Sequence, residues 1–235
     1  MQIFSSLATP ALLAVVLVPA AMLMSLPPFE EPRAAAPAAA AMPPEPAPIG
    51  VTASSDTAVF AGGCFWGVEA VFEHLKGVSS ASSGYAGGSG SSPSYEEVSS
   101  GNTGHAEAVL VVYDPAEISY DQLLQVFFTV AHDPTQLNRQ GPDVGTQYRS
   151  AVFYRNAAQR RATESYMAKV REARLYRGDI VTEVAPLRAF HAAEAYHQDY
   201  LVRHPTQPYI VINDAPKLEH LRRAFPTLYR KRGVS

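Results

Sequence analysis

A single cysteine, Cys64, serves the whole 235-residue chain, and that scarcity excludes an intramolecular disulfide, a Cys₄ or Cys₂His₂ zinc site and a Cys-x-x-Cys redox pair. Charge is also sparse. The 19 Lys and Arg against 22 Asp and Glu leave a net charge of -3, so no excess of cations exists to hold a phosphate backbone and no nucleic-acid partner is expected. The seven histidines form no His-Glu-x-x-His or similar ligand pattern, and no metal is predicted. Glu194 and His197 have the i, i+3 spacing of carboxylate-bridged metal sites, but one such pair fits a structural role better.

What is present is unevenly spread. Residues 1–50 hold ten of the 19 prolines but one basic residue, Arg33, and three acidic ones, Glu30, Glu31 and Glu45, leaving 18 basic against 19 acidic from Val51 onward. Ala11 to Leu26 is an uncharged apolar run, broken only by Pro19 and Ser25, so residues 1–26 read as a secretory signal or an N-terminal anchor. A positive n-region is missing, and Pro10 and Pro19 would kink a helix. Pro27 to Gly50, with eight prolines and eight alanines, reads as a semi-rigid spacer over residues 27–50. Residues 51–235 are then the folded domain, exported to the periplasm or tethered to the inner membrane.

Within that domain, strand-like and helix-like patterns alternate. Strands are predicted at Thr57–Ala61, Glu107–Tyr113, Arg149–Tyr154 and Ile180–Val184, and helices at Cys64–Leu75, from Ser119 through Phe128, at Asn156–Glu172 and at Glu194–Val202. The Gly- and Ser-rich stretch Ser79–Gly104 and the polar stretch His132–Gln147 read as loops, long enough to suggest function. The order implies an α+β fold, a two-layer α/β sandwich with a mixed sheet.

Cys64 follows a strand and Gly62-Gly63 and opens a helix, where unpaired backbone N–H groups and the positive end of the helix dipole converge. That environment is expected to lower the thiol pKa and favour the thiolate. Taken alone, the stretch suits a nucleophile and a small buried apolar residue equally.

Longer blocks are more specific. Gly63-Cys64-Phe65-Trp66-Gly67, Gly84-Tyr85-Ala86-Gly87-Gly88, Tyr95-Glu96-Glu97-Val98 and Gly101-Asn102-Thr103-Gly104-His105-Ala106-Glu107 resemble the A-type peptide methionine sulfoxide reductases. His132-Asp133-Pro134-Thr135, Gln140 to Ser150 and Ala193 to Tyr200 are similar to that family's other blocks, in the family's order, from about Thr57 to Tyr209. The resemblance implies a ferredoxin-like core and reduction of the S epimer of methionine sulfoxide, in proteins and as the free amino acid.

By that resemblance the thiolate of Cys64 attacks the sulfoxide sulfur and is left as a sulfenic acid, while Glu107, kept protonated by burial, gives the oxygen its proton. Tyr95 and Tyr148 match the two phenols that hydrogen-bond the oxygen, Asp143 the aspartate that orders the site, and Phe65 and Trp66 the pocket for the S-methyl group. No bound cofactor is implied, and a monomer is expected. The chain departs from most relatives in lacking resolving cysteines, so an external thiol, either a thioredoxin-like protein or a small thiol, must reduce the sulfenic acid. A cysteine hydrolase pairing Cys64 with His105 and a noncatalytic tethered module are the readings from other classes.

Overall fold

The computed structural model describes residues 55–89 and 93–231, so the expected signal or anchor and the spacer, residues 1–50, lie outside the described residues. In chain order come β1 (Asp56–Gly62), α1 (Phe65–Glu73), β2 (Val78–Ala86), α2 (Tyr95–Ser99), β3 (Ala106–Tyr113), α3 (Tyr120–Val126), the short pair β4 (Arg139–Gln140) and β5 (Asp143–Val144), β6 (Ser150–Tyr154), α4 (Ala157–Glu172), β7 (Glu183–Pro186), β8 (Phe190–Ala192), α5 (Tyr200–Arg203) and α6 (Ala215–Ala224).

Six strands form one sheet in the order β7-β6-β1-β3-β2-β8. The inner four, β6-β1-β3-β2, are antiparallel and follow the β-α-β-β-α-β path of a ferredoxin-like core, with α1 crossing from β1 to β2 and α3 lying between β3 and β6. The β6–β7 pair is parallel, so the sheet is mixed, as expected.

Alternation along the strands sorts side chains into two layers. Ala58 and Phe60 of β1, Val109, Val111 and Tyr113 of β3 and Val152 of β6 face the helices, where Phe60 stacks between Phe72 of α1 and Phe127 at centroid distances of 5.0 and 4.9 Å. The opposite face carries a smaller cluster of Val59, Ala61, Ala86, Ala106, Ala108, Ala151 and Phe153. Glu107 precedes Val109 by two residues, so the same alternation points its carboxyl into the helix layer at the end of an apolar row.

The helix starts are chemically marked. Ser119 caps α3 by accepting the Gln122 N–H, with the Gln122 side chain returning to the Ser119 N–H, and Asn156 caps α4 through the Gln159 N–H. α4 buries Gln159, Thr163, Tyr166, Met167 and Val170, one face at helical spacing.

Several expectations need correction. Ser79–Gly104 is not largely loop: it supplies β2, paired on both edges, and the short helix α2. Its small residues are there for packing, since a side chain on Gly84 would meet the Phe190 ring at 2.3 Å. His132–Gln147 contains the β4–β5 hairpin, and the strand expected at Ile180–Val184 lies at Glu183–Pro186. The helix expected over Glu194–Val202 is broken into a 3₁₀ turn, Ala195–His197, and α5, because Asp199 adopts a left-handed φ of 54° between them.

Candidate active site

Gly63 turns the chain from β1 into α1 at a φ of 90°, a conformation that disfavours any side chain, with Gln140 packed against it. Cys64 is therefore the N-cap residue of α1, 8% exposed. Glu107, 2% exposed on β3, accepts the Phe65 N–H at 3.0 Å through Oε2. Thiol and carboxyl thus meet at the first turn of one helix.

Burial dominates their titration. It pushes the Glu107 carboxyl up to about 8, with Asp143 and Asp214 adding to the effect and the Phe65 N–H opposing it. The Glu107 carboxyl is accordingly protonated at neutral pH. The expectation for Cys64 is reversed. Burial pushes its thiol well above the ordinary range, and Glu107 and Asp214 raise it further, while the Trp66 N–H and the Lys217 ammonium work the other way. A helix N-terminus favours an anion, but here desolvation outweighs it.

The phenols surround this pair. Tyr95 opens α2, and burial, with Glu107 and Cys64 nearby, pushes its phenol up. Tyr148, in the 3₁₀ turn Thr146–Tyr148, is pushed up by burial and by Glu107, Tyr95, Asp143 and Cys64. Both phenols therefore stay protonated, in the neighbourhood of Glu107 and Cys64. The loop carrying Asp143 and Tyr148 is fixed by Gln140, whose side chain accepts the Asp133 N–H at 3.1 Å and donates to the Asp133 carbonyl at 3.0 Å. Arg149 ties the turn down by donating to the Thr146 and Gly104 carbonyls, each at 3.0 Å.

Phe65 is fully buried between Tyr85 and His197, at centroid distances of 5.9 and 4.9 Å, whereas Trp66 is half-buried. The Trp66 indole stacks on Tyr200 at 3.7 Å, meets the edge of Tyr209 at 5.9 Å and donates from Nε1 to His197 Nδ1 at 3.1 Å. Because Nδ1 accepts and burial pushes the His197 pKa down, the ring is neutral with its proton on Nε2, 4.0 Å from Glu194 Oε2. Glu194 in turn accepts the Tyr95 N–H and the Tyr85 hydroxyl, each at 2.9 Å. The Glu194–His197 spacing thus serves the walls of the pocket. Among the described residues, no group of three or more His, Cys, Asp or Glu is placed to hold a metal ion.

Two groups escaped sequence reasoning. Tyr209 donates to Asp143 Oδ2, and Asp214, buried at the end of a widened π turn (Ile210–Asp214), pairs with Lys217 on α6. Gly67 was the available signal for the second: a glycine inside a short helix marks close approach, and Asp214 and Lys217 fill that space. His105, the base of the hydrolase reading, is engaged elsewhere: its Nδ1 accepts the Gly88 N–H at 3.3 Å and its ring meets His191.

Residues 56–228 match the family Peptide methionine sulfoxide reductase. A peptide methionine sulfoxide reductase of Mesorhizobium japonicum is 54% identical over 180 residues, 77% of this chain and 92% of that protein. One from Natronomonas pharaonis is 55% identical over 169 residues, 72% of this chain and 94% of that protein. Among solved structures, Mxr1 from Saccharomyces cerevisiae in reduced form superposes with a TM-score of 0.60 at 35% identity, covering 65% of this chain and 87% of that one. Methionine sulfoxide reductase A of Corynebacterium diphtheriae gives 0.57 at 40% identity, covering 65% and 76%.

Proposed function

This chain belongs to the peptide methionine sulfoxide reductase family, and from that premise we propose a role for each residue of the site as it reduces the S epimer of methionine sulfoxide to methionine. The observation that carries the reading is the buried Glu107 carboxyl, protonated at neutral pH and bonded to the N–H of the residue after Cys64.

The Cys64 thiolate attacks the sulfoxide sulfur while Glu107 gives its proton to the oxygen, because an unprotonated oxide is a very poor leaving group. Tyr95 and Tyr148 donate hydrogen bonds to that oxygen where negative charge grows. The attack joins the two sulfurs; that S–S bond and the S–O bond then break as the hydroxyl passes to Cys64, which is left as a sulfenic acid, and the thioether departs with the electron pair of the S–S bond. Trp66 receives the S-methyl group on its ring, backed by Phe65, and Asp143 orders the mouth through Tyr209.

With no second cysteine in the sequence, an external thiol closes the cycle. Its thiolate displaces water from the sulfenic acid to form a mixed disulfide, and a second thiol frees Cys64. A thioredoxin-like protein suits both steps, and dithiothreitol serves in its place. The protein acts as a monomer, and residues 1–26 direct export or anchoring, which a reporter fused to residues 1–50 tests by its location.

Purified protein with S-configured sulfoxide and dithiothreitol should release methionine, and Cys64→Ser should not. Dimedone added with substrate but without reductant should label Cys64 alone. Equal turnover by Cys64→Ser would overturn the reading.

A further inference from the structure

Nucleophilic attack needs a thiolate, yet the pocket opposes one. Cys64 is buried, Glu107 accepts the N–H of the next residue, and Asp214 lies against Gly67 in the same helix turn. Lys217 stands against them. Its Nζ lies 3.1 Å from Asp214 Oδ1, and the two side chains are 19% and 0% exposed.

Both groups press on the first turn of α1. A methyl built on Gly67 would lie against Asp214 Oδ1 and 2.7 Å from Lys217 Nζ, so the pair occupies the space a side chain there would need. The pair is a costly way to hold two elements together. Asp214 Oδ2 is buried without a hydrogen-bond partner among the described residues, and an incompletely satisfied buried carboxylate destabilises the fold relative to apolar packing. The helix dipole, for its part, repels a cation at this end, so Lys217 needs Asp214 to stay there.

We propose that Lys217, anchored by Asp214, is a positioning residue for the nucleophile, its ammonium balancing the charge of the Cys64 thiolate before attack. The proposal rests on the reductase reading of the same site. Among the described residues, the other groups that interact with Cys64 are Glu107 from β3, Tyr95 from α2, Tyr148 from the turn before β6 and Tyr209 ahead of α6, and none of them is cationic. His132, which also feels Lys217, is pushed down to about 4 by burial and stays neutral.

The test is the pH dependence of iodoacetamide alkylation at Cys64, the only thiol, in the full chain. Lys217→Met should move the midpoint up by about one pH unit, and Lys217→Arg should restore most of the shift. Conversely, the Lys217 ¹⁵Nζ resonance should step at the wild-type alkylation midpoint and lose that step in Cys64→Ser, an arm that decides the matter if Lys217→Met does not fold. An unchanged midpoint in folded Lys217→Met, or a step that persists without the thiol, overturns the proposal. Alkylation requires no sulfoxide, so a protein inactive on sulfoxide but with these shifts would sink the reductase reading and leave this one standing.

Discussion

Two carboxyl groups of the site accept a backbone N–H in the same manner and end in opposite states. Glu107 accepts from Phe65 at 3.0 Å and Glu194 accepts from Tyr95 at 2.9 Å. Glu107 is pushed up to about 8, while Glu194 lies below the ordinary carboxylate range. The difference is water and company. The Glu194 side chain is 36% exposed and gains the Tyr85 hydroxyl and the nearby His197, whereas Glu107 is sealed at the end of an apolar row with other carboxyls as its charged neighbours. One N–H cannot repay full desolvation; solvent and a second donor can. Glu107 is thereby protonated near neutral pH, and Glu194, in the wall of the site, is a fixed acceptor that holds Tyr95 in place.

The sharpest way to break this contrast is Glu107→Gln, which keeps shape and removes the transferable proton. kcat should fall by about 10²–10⁴-fold. The wild-type rate should also decline as pH rises through about 8, where Glu107 ionises, and that limb should vanish in the variant. At high pH the Cys64 alkylation midpoint should fall, because the ionised carboxylate that opposes the thiolate is gone. A more reactive thiol in a slower enzyme would separate acid catalysis from thiol activation.

Stability should move against activity. The folded pKa of Glu107 lies above its unfolded value of about 4.5, so the native state binds the extra proton and loses stability as pH rises from about 4.5 to 8. Glu107→Gln escapes that loss and should be more stable than wild type at pH 7–8 by on the order of 2–4 kcal/mol in urea unfolding. A variant less stable than wild type there would mean that the carboxyl is not desolvated.

His197 tests the wall. His197→Phe leaves the Trp66 indole N–H without its acceptor, which should cost about 1–3 kcal/mol of stability and raise KM for the S-sulfoxide more than it lowers kcat. An unchanged KM would mean that Trp66 is held by Tyr200 stacking alone.

Local signals made much of this legible. Ser119 and Asn156 announce their helices through side-chain oxygens that need nothing distant, and period-two alternation puts Glu107 in line with Val109 and Val111. Ser79–Gly104 misleads because its strand is selected by close approach across the sheet, as at Gly84, and not by β propensity. Glu194–Val202 misleads because Asp199 leaves helical space to give its N–H to Glu69, 130 residues away. The thiol follows the same logic: the dipole at Cys64 is local, but Asp214 and the burial that outweighs it arrive through the fold.

Glu194→Gln is the mildest change and the most diagnostic in sign. The amide keeps one oxygen for the Tyr95 N–H or the Tyr85 hydroxyl and sets its NH₂ against the other, so one donor loses a partner, at about 1 kcal/mol near neutral pH. Because the folded pKa of Glu194 lies below the unfolded one, its contribution is complete above about pH 4.5 and fades as pH falls through the folded value. Wild type and Glu194→Gln should therefore converge in acid, with the variant the weaker partner at pH 7. Wild type and Glu107→Gln should also approach each other in acid, but from the other side, with the variant the stronger at pH 7. Two urea series across pH decide it: difference curves of the same sign would show that the two carboxyl groups share one electrostatic environment.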